Sequence, residues 1–153
     1  MTGVQTCALP IWGQGQTALH EHGANIEIAK LLLEAGADVN TVWGQGQTAL
    51  HEHGGDIEIA KLLLEAGADV NKIVEWGGQT ALHMHGGNIE IAKLLLEAGA
   101  DVNKADDDGQ TALHEHGANI EIAKLLLEAG ADVNMAGRSE EHTSELQSQA
   151  YLV

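Results

Sequence analysis

Gly46-Gln47-Thr48-Ala49-Leu50-His51-Glu52-His53-Gly54-Gly55-Asp56-Ile57-Glu58-Ile59-Ala60-Lys61-Leu62-Leu63-Leu64-Glu65-Ala66-Gly67-Ala68-Asp69-Val70-Asn71 is the stretch that decides the fold, because the same block is written four times. The copies are Gly15–Asn40, Gly46–Asn71, Gly78–Asn103 and Gly109–Asn134, so successive first glycines stand 31, 32 and 31 residues apart. A fixed period in this range marks an array, in which each unit buries its apolar face against its neighbours.

Within the first copy, Thr17 is placed as the N-cap of a short helix, its hydroxyl available to an orphan N–H. Ala18, Leu19 and His20 form the first turn, and Gly23 ends the helix early; Gly54, Gly86 and Gly117 repeat that stop. Asn25, Asp56, Asn88 and Asn119 are N-caps for a second, better specified helix. In it Ile28, Leu31, Leu32 and Ala35 fall at i, i+3, i+4 and i+7 as one apolar stripe, widened by Ile26, Ala29 and Leu33, while Glu27 and Lys30 point outward. Gly36 closes this helix as its C′ residue. Ala37-Asp38-Val39-Asn40 then extends toward a hairpin that leads to the next copy.

Thr17-Ala18-Leu19-His20, the run Ile26–Gly36 and Ala37-Asp38-Val39-Asn40 together resemble the ankyrin repeat, with its T-P-L-H opening, its LLL-E-x-GA helix and its ADVN segment. The resemblance spans Trp12 to about Ala136 and recurs in every copy. It implies an all-α, ankyrin-like helical solenoid of four helix–turn–helix repeats, bounded at about 12–42, 43–74, 75–105 and 106–136. Two features depart from the family pattern. Only five residues separate His20 from Ile26 where the family usually has seven, so the first helix reads as about two residues short, against a family period of roughly 33. Ala18, Ala49, Ala81 and Ala112 replace the family's Pro at the first helical position, which forgoes a preset φ.

The chain of 153 residues has no Phe and a formal charge of −16, so its core must be aliphatic and its surface acidic. Residues 12–137 alone carry 20 acidic and 6 basic side chains. Nucleic acid is disfavoured as a partner, since phosphate contact needs a basic face; a protein or peptide, favoured when basic, fits the charge. No run approaches the ~18 consecutive apolar residues of a membrane-spanning helix, and no signal peptide is evident, so the chain reads as cytoplasmic. The single cysteine, Cys7, allows no intrachain disulfide. Neither a P-loop nor a nucleophile elbow occurs, and Gly13-Gln14-Gly15 lacks the third glycine and the βαβ setting of a nucleotide loop, so no enzyme and no cofactor is expected.

In ankyrin-like arrays the hairpin tips and the first-helix faces form the binding surface. By that resemblance the candidate partner-binding residues are Glu21, Glu52, Met84 and Glu115 on the short helices, with Trp43, Lys72, Trp76, Lys104, Asp106 and Asp108 at the tips. Trp12, Trp43 and Trp76 could serve as binding anchors or pack on neighbouring hairpins. Four H-x-H pairs add a second theme. The first members, His20, His51, His83 and His114, match the family histidine that ties the fold together. The second members, His22, His53, His85 and His116, stand where the family has a small residue, and a column of them could share a metal ion, although H-x-H spacing on a helix sends the two rings to different faces. A His-rich metal-binding array is therefore the alternative function, and a degenerate expansion without stable function is a further one.

The ends do not resemble the repeats. Met1–Ile11 reads MTGVQTCALPI, and Arg138–Ser148 reads RSEEHTSELQS. Codons for the second can be written as the reverse complement of codons for the first, which resembles sequencing adapter translated on both flanks. Residues 1–11 and 137–153 are accordingly set apart as non-native segments around a repeat domain at 12–136, expected to be a fragment of a longer repeat protein.

Overall fold

A computed structural model describes residues 17–137. Residues 1–16, with the first adapter-like segment and Trp12, and residues 138–153 of the second lie outside the described residues. Eight helices follow in strict alternation: α1 (Ala18–His22), α2 (Ile26–Glu34), α3 (Ala49–His53), α4 (Ile57–Glu65), α5 (Ala81–His85), α6 (Ile89–Glu97), α7 (Ala112–His116) and α8 (Ile120–Glu128). Each odd helix packs on the next even one, forming a helix–turn–helix unit. Odd helices also pack on odd, and even on even, which gives two parallel layers. This is the helical repeat solenoid that the periodicity predicts.

The short helices have five residues and the long ones nine. The long helices start where the sequence says. Asp56 Oδ1 accepts from the Glu58 and Ile59 N–H groups, and Asn25, Asn88 and Asn119 do the same in their own units. Each such cap is worth about 1 kcal/mol. They also end where it says: Gly36 takes φ +91°, the Ala37 N–H donates to Leu32 O and the Gly36 N–H to Leu33 O, the two bonds of a Schellman stop.

The core runs between the layers as a continuous aliphatic column through Leu50, Ala60, Leu63, Leu82, Ile91, Ala92, Leu95, Ile122 and Leu126. The single stripe expected for the long helix needs correction. Ala35, Ala66, Ala98 and Ala129 are exposed, so the stripe stops short of them. A long helix in a stack has a neighbour on each side and therefore two apolar flanks. Ile59 and Leu63 meet the preceding unit and Ala60 and Leu64 the following one, as the loss of cover at the ends of the stack shows: Ile28 is 39% exposed in the first unit, and Leu127 is 45% exposed in the last.

Candidate functional site

The short helices are built around their first histidine. Thr48 is the N-cap of α3 and His51 occupies the N3 position. The His51 Nδ1 accepts from the Thr48 N–H at 3.1 Å, with the Thr48 hydroxyl 2.9 Å away. This is the back-bond of a capping box, made by imidazole where Glu or Gln is usual. The threonine hydroxyl thus engages the ring. With Nδ1 accepting, Nε2 carries the proton. It donates to Lys72 O at 2.9 Å in α3 and, from His83, to Gln110 O at 3.1 Å in α5. One ring therefore caps its helix and anchors the following hairpin. His51 is buried, and burial lowers its pKa below the ordinary histidine value, against smaller raising effects from the Lys72 carbonyl and Asp69.

The second histidine does something the sequence reading did not foresee. His53 Nε2 donates to His20 O at 2.7 Å, His85 Nε2 to His51 O at 2.8 Å, and His116 Nε2 to His83 O at 2.6 Å. Each ring is a strap to the short helix of the preceding unit. The straps engage Nε2 of His53, His85 and His116, three of the four histidines of the column expected to share a metal ion; His22, in the first unit, is exposed. Among the described residues no three or more His, Cys, Asp or Glu side chains come together to hold a metal ion.

The strap also explains the glycine that follows it. Gly54 has φ −64°, so it is right-handed, and its stop is unlike that of Gly36. A Cβ there would run into the Leu50 carbonyl and stand 3.0 Å from His85 Cδ2. Close approach of the Leu50 carbonyl first, and of the next unit's ring second, is the reason for glycine. A second strap comes from the ADVN segment, expected only to extend toward the hairpin. Asn40 Nδ2 donates to Gly67 O at 3.0 Å and its Oδ1 accepts from the Asp69 N–H at 2.7 Å. Asn71 and Asn103 repeat both bonds.

At the tips the residue three places after each such Asn turns inward. It is Trp43, Val74 or Asp106, and the N–H of each donates to the carbonyl of Gln47, Gln79 or Gln110. Among the described residues one tip closes an isolated β-bridge, Trp43 with Gln47. Neighbouring tips are joined by Glu75 N–H to Gln45 O at 2.6 Å and Asp107 N–H to Gly77 O at 3.0 Å. Trp43 is half-buried, edge-on to His20 with ring centroids 6.0 Å apart. Trp76 is 73% exposed, and Ile73 and Val42 beside the inward positions are exposed too.

The short-helix candidates divide. Glu21 and Met84 are exposed as expected. Glu115 is not: its side chain is largely covered and accepts from Gln79 Nε2 at 3.0 Å. Glu52 is half-buried beside the Trp43 indole, with Oε2 and Trp43 Nε1 both out of solvent. Burial raises the Glu52 pKa, opposed by His53 and the Trp43 indole. Lys72 and Asp108 are exposed; Lys104 is half-covered. Asp106 Oδ1 is engaged within its own loop by the Asp108 and Gln110 N–H groups, so it shapes the tip.

A family model described as ankyrin repeats (3 copies) matches residues 3–74 and again 52–136. The chain belongs to the ankyrin repeat family. A search of curated proteins finds no match. Ankyrin repeats are in general protein–protein interaction modules, and members of the family are typically non-enzymatic scaffolds. Among the described residues no helix is long and apolar enough to cross a membrane.

Proposed function

We propose that this ankyrin array binds a basic protein or peptide on the side formed by the hairpin tips and the short helices. The observation that carries the reading is Trp76, 73% exposed at a tip. Ile73 in the same hairpin and Met84 on α5 are exposed apolar residues too, and Val42 occupies the equivalent position of Ile73 one unit earlier. A large exposed aromatic with apolar neighbours is the composition of an interface anchor. Glu21 and Asp108 supply exposed negative charge on the same side, and Lys72 and Lys104 are the few cations there. With a net charge of −16 on the whole chain, a cationic partner is drawn in by long-range attraction that salt weakens.

A displayed peptide library selected on the full chain tests this. Basic peptides carrying apolar residues are expected to enrich. Trp76→Ala is expected to weaken the selected peptides by ~10–100-fold, the range of an anchor residue. Peptides that bind Trp76→Ala and Met84→Ala as tightly as the parent chain would place the binding surface elsewhere.

A further inference from the structure

An open groove runs between consecutive long helices, and its walls repeat in register. At the junction of α4 and α6 it is lined by Lys61, Leu64 and Glu65 from one helix and Leu94, Glu97 and Ala98 from the other, around a volume of about 290 Å³. At the junction of α6 and α8 the same positions recur one unit on, from Lys93, Leu96 and Glu97 to Leu125, Glu128 and Ala129, around about 320 Å³. No hairpin-tip or short-helix residue lines either groove. The leucines are only partly covered and Ala98 and Ala129 are exposed, so the floor is apolar and open. The rims are acidic and uncompensated. Lys61 Nζ turns to Glu58 at 3.6 Å, and among the described residues no cationic side chain pairs with Glu65, Glu97 or Glu128. Each of these glutamates is the last residue of its helix, and the last turns of α4, α6 and α8 hold no basic residue. A carboxylate there faces the negative end of the helix dipole, so a cation seated beside it relieves that repulsion as well as pairing with the charge.

We propose that the long-helix layer is a second binding surface, separate from the tips, for a polyproline II segment with an arginine at every third position, one arginine to each groove. The spacing selects that conformation. Packed helices lie about 8–10 Å apart, so the grooves repeat at that interval. A polyproline II chain brings every third side chain back to the same face after about 9 Å. An extended strand turns successive side chains to opposite faces, so its third residue points away. In each groove the arginine stem lies on the apolar floor, over Leu64 and Ala98 or over Leu96 and Ala129. Its planar guanidinium meets one carboxylate of each wall, Glu65 with Glu97 or Glu97 with Glu128. Glu97 stands in both grooves and serves two successive arginines.

Fluorescence anisotropy of a labelled peptide of four Arg-Pro-Pro repeats, titrated with the full chain, tests the proposal. The reference is a peptide of the same composition with its arginines consecutive, equal in charge but out of register. The repeating peptide is expected to bind at least about fivefold more tightly, from a few exposed ion pairs each of modest strength. Glu97→Gln is expected to weaken it by about 3- to 10-fold, since two pairs are lost. Glu65→Gln, Glu97→Gln and Glu128→Gln together are expected to bring it down to the reference. All three positions are exposed, so helical circular dichroism should match the parent; if the triple variant loses it, Ala98→Lys, which places a fixed cation in the α4–α6 groove, takes its place with weakening of the repeating peptide expected. Trp76→Ala is expected to leave this binding unchanged, which separates it from binding at the tips. Equal affinity for the two peptides, or binding that survives the glutamate substitutions, overturns the proposal. Binding that Trp76→Ala abolishes places the peptide at the tips and overturns it as well.

Discussion

The first and second hairpins carry the same residue type to opposite fates. Trp43 turns inward against His20, and Trp76 stands out in solvent. The cause is the place each tryptophan takes in its hairpin. Counted from the asparagine strap that precedes each hairpin, the inward position is the third after Asn40 or Asn71. Trp43 fills it in the first hairpin. In the second, one residue longer, Val74 fills it at 6% exposed, and Trp76, two places further on, rides on the loop. The His anchors differ as well. His51 Nε2 donates to Lys72 O, whereas the His20 ring, acted on by the Gln47 and Thr41 carbonyls, also meets the Trp43 ring edge-on.

The sharpest test of that difference is His51→Ala. It removes the cap of α3 and the anchor of the second hairpin together, leaving the Lys72 carbonyl and the buried Thr48 N–H without their ring partner. A loss of about 3 kcal/mol is expected in denaturant unfolding. Next come the two tryptophans. Trp43→Ala is expected to cost about 2 kcal/mol, less than a fully buried aromatic because the ring is half-exposed. Trp76→Ala should stay within about 0.5 kcal/mol. Equal changes in Tm for the two would break the comparison.

The smallest effect near neutrality is that of pH. Burial lowers the pKa of His20, His51 and His85 below the ordinary 6.5, with His53 adding to the effect on His20 and His85 to that on His51. Each folded ring stays neutral where the unfolded chain already takes up protons. Their contribution is therefore complete above pH 6.5 and falls as pH drops below it and through the folded values. Thermal melts at descending pH check this; a Tm that rises on acidification across that window would contradict the assignment of these rings as buried and neutral.

Much of the unit was legible because its signals are local. Asp56 and its counterparts cap through N–H groups two and three residues on, and Gly36 stops its helix through bonds spanning five residues or fewer. The straps were not legible. His53 to His20 spans 33 residues and Asn40 to Gly67 spans 27, and nothing in the string says that these atoms meet. Ala35 was misplaced for a related reason: periodicity ranks positions around one axis, whereas a stacked helix is covered from two sides. The binding-face candidates suffered most. Glu52, Glu115 and Asp106 were placed by equivalence to a family pattern, and local packing drew each of them partly into the structure.

The amino-acid sequence by itself determined the repeat, the helix boundaries and the aliphatic, acidic character of the array. Those depend on hydrogen bonds and periodicities that close within one unit. Only the tertiary structure decided which histidine straps its neighbour and which tryptophan faces solvent. Those depend on stacking, which brings each residue against its equivalents about one period away, where a shift of two places in a loop exchanges inside for outside.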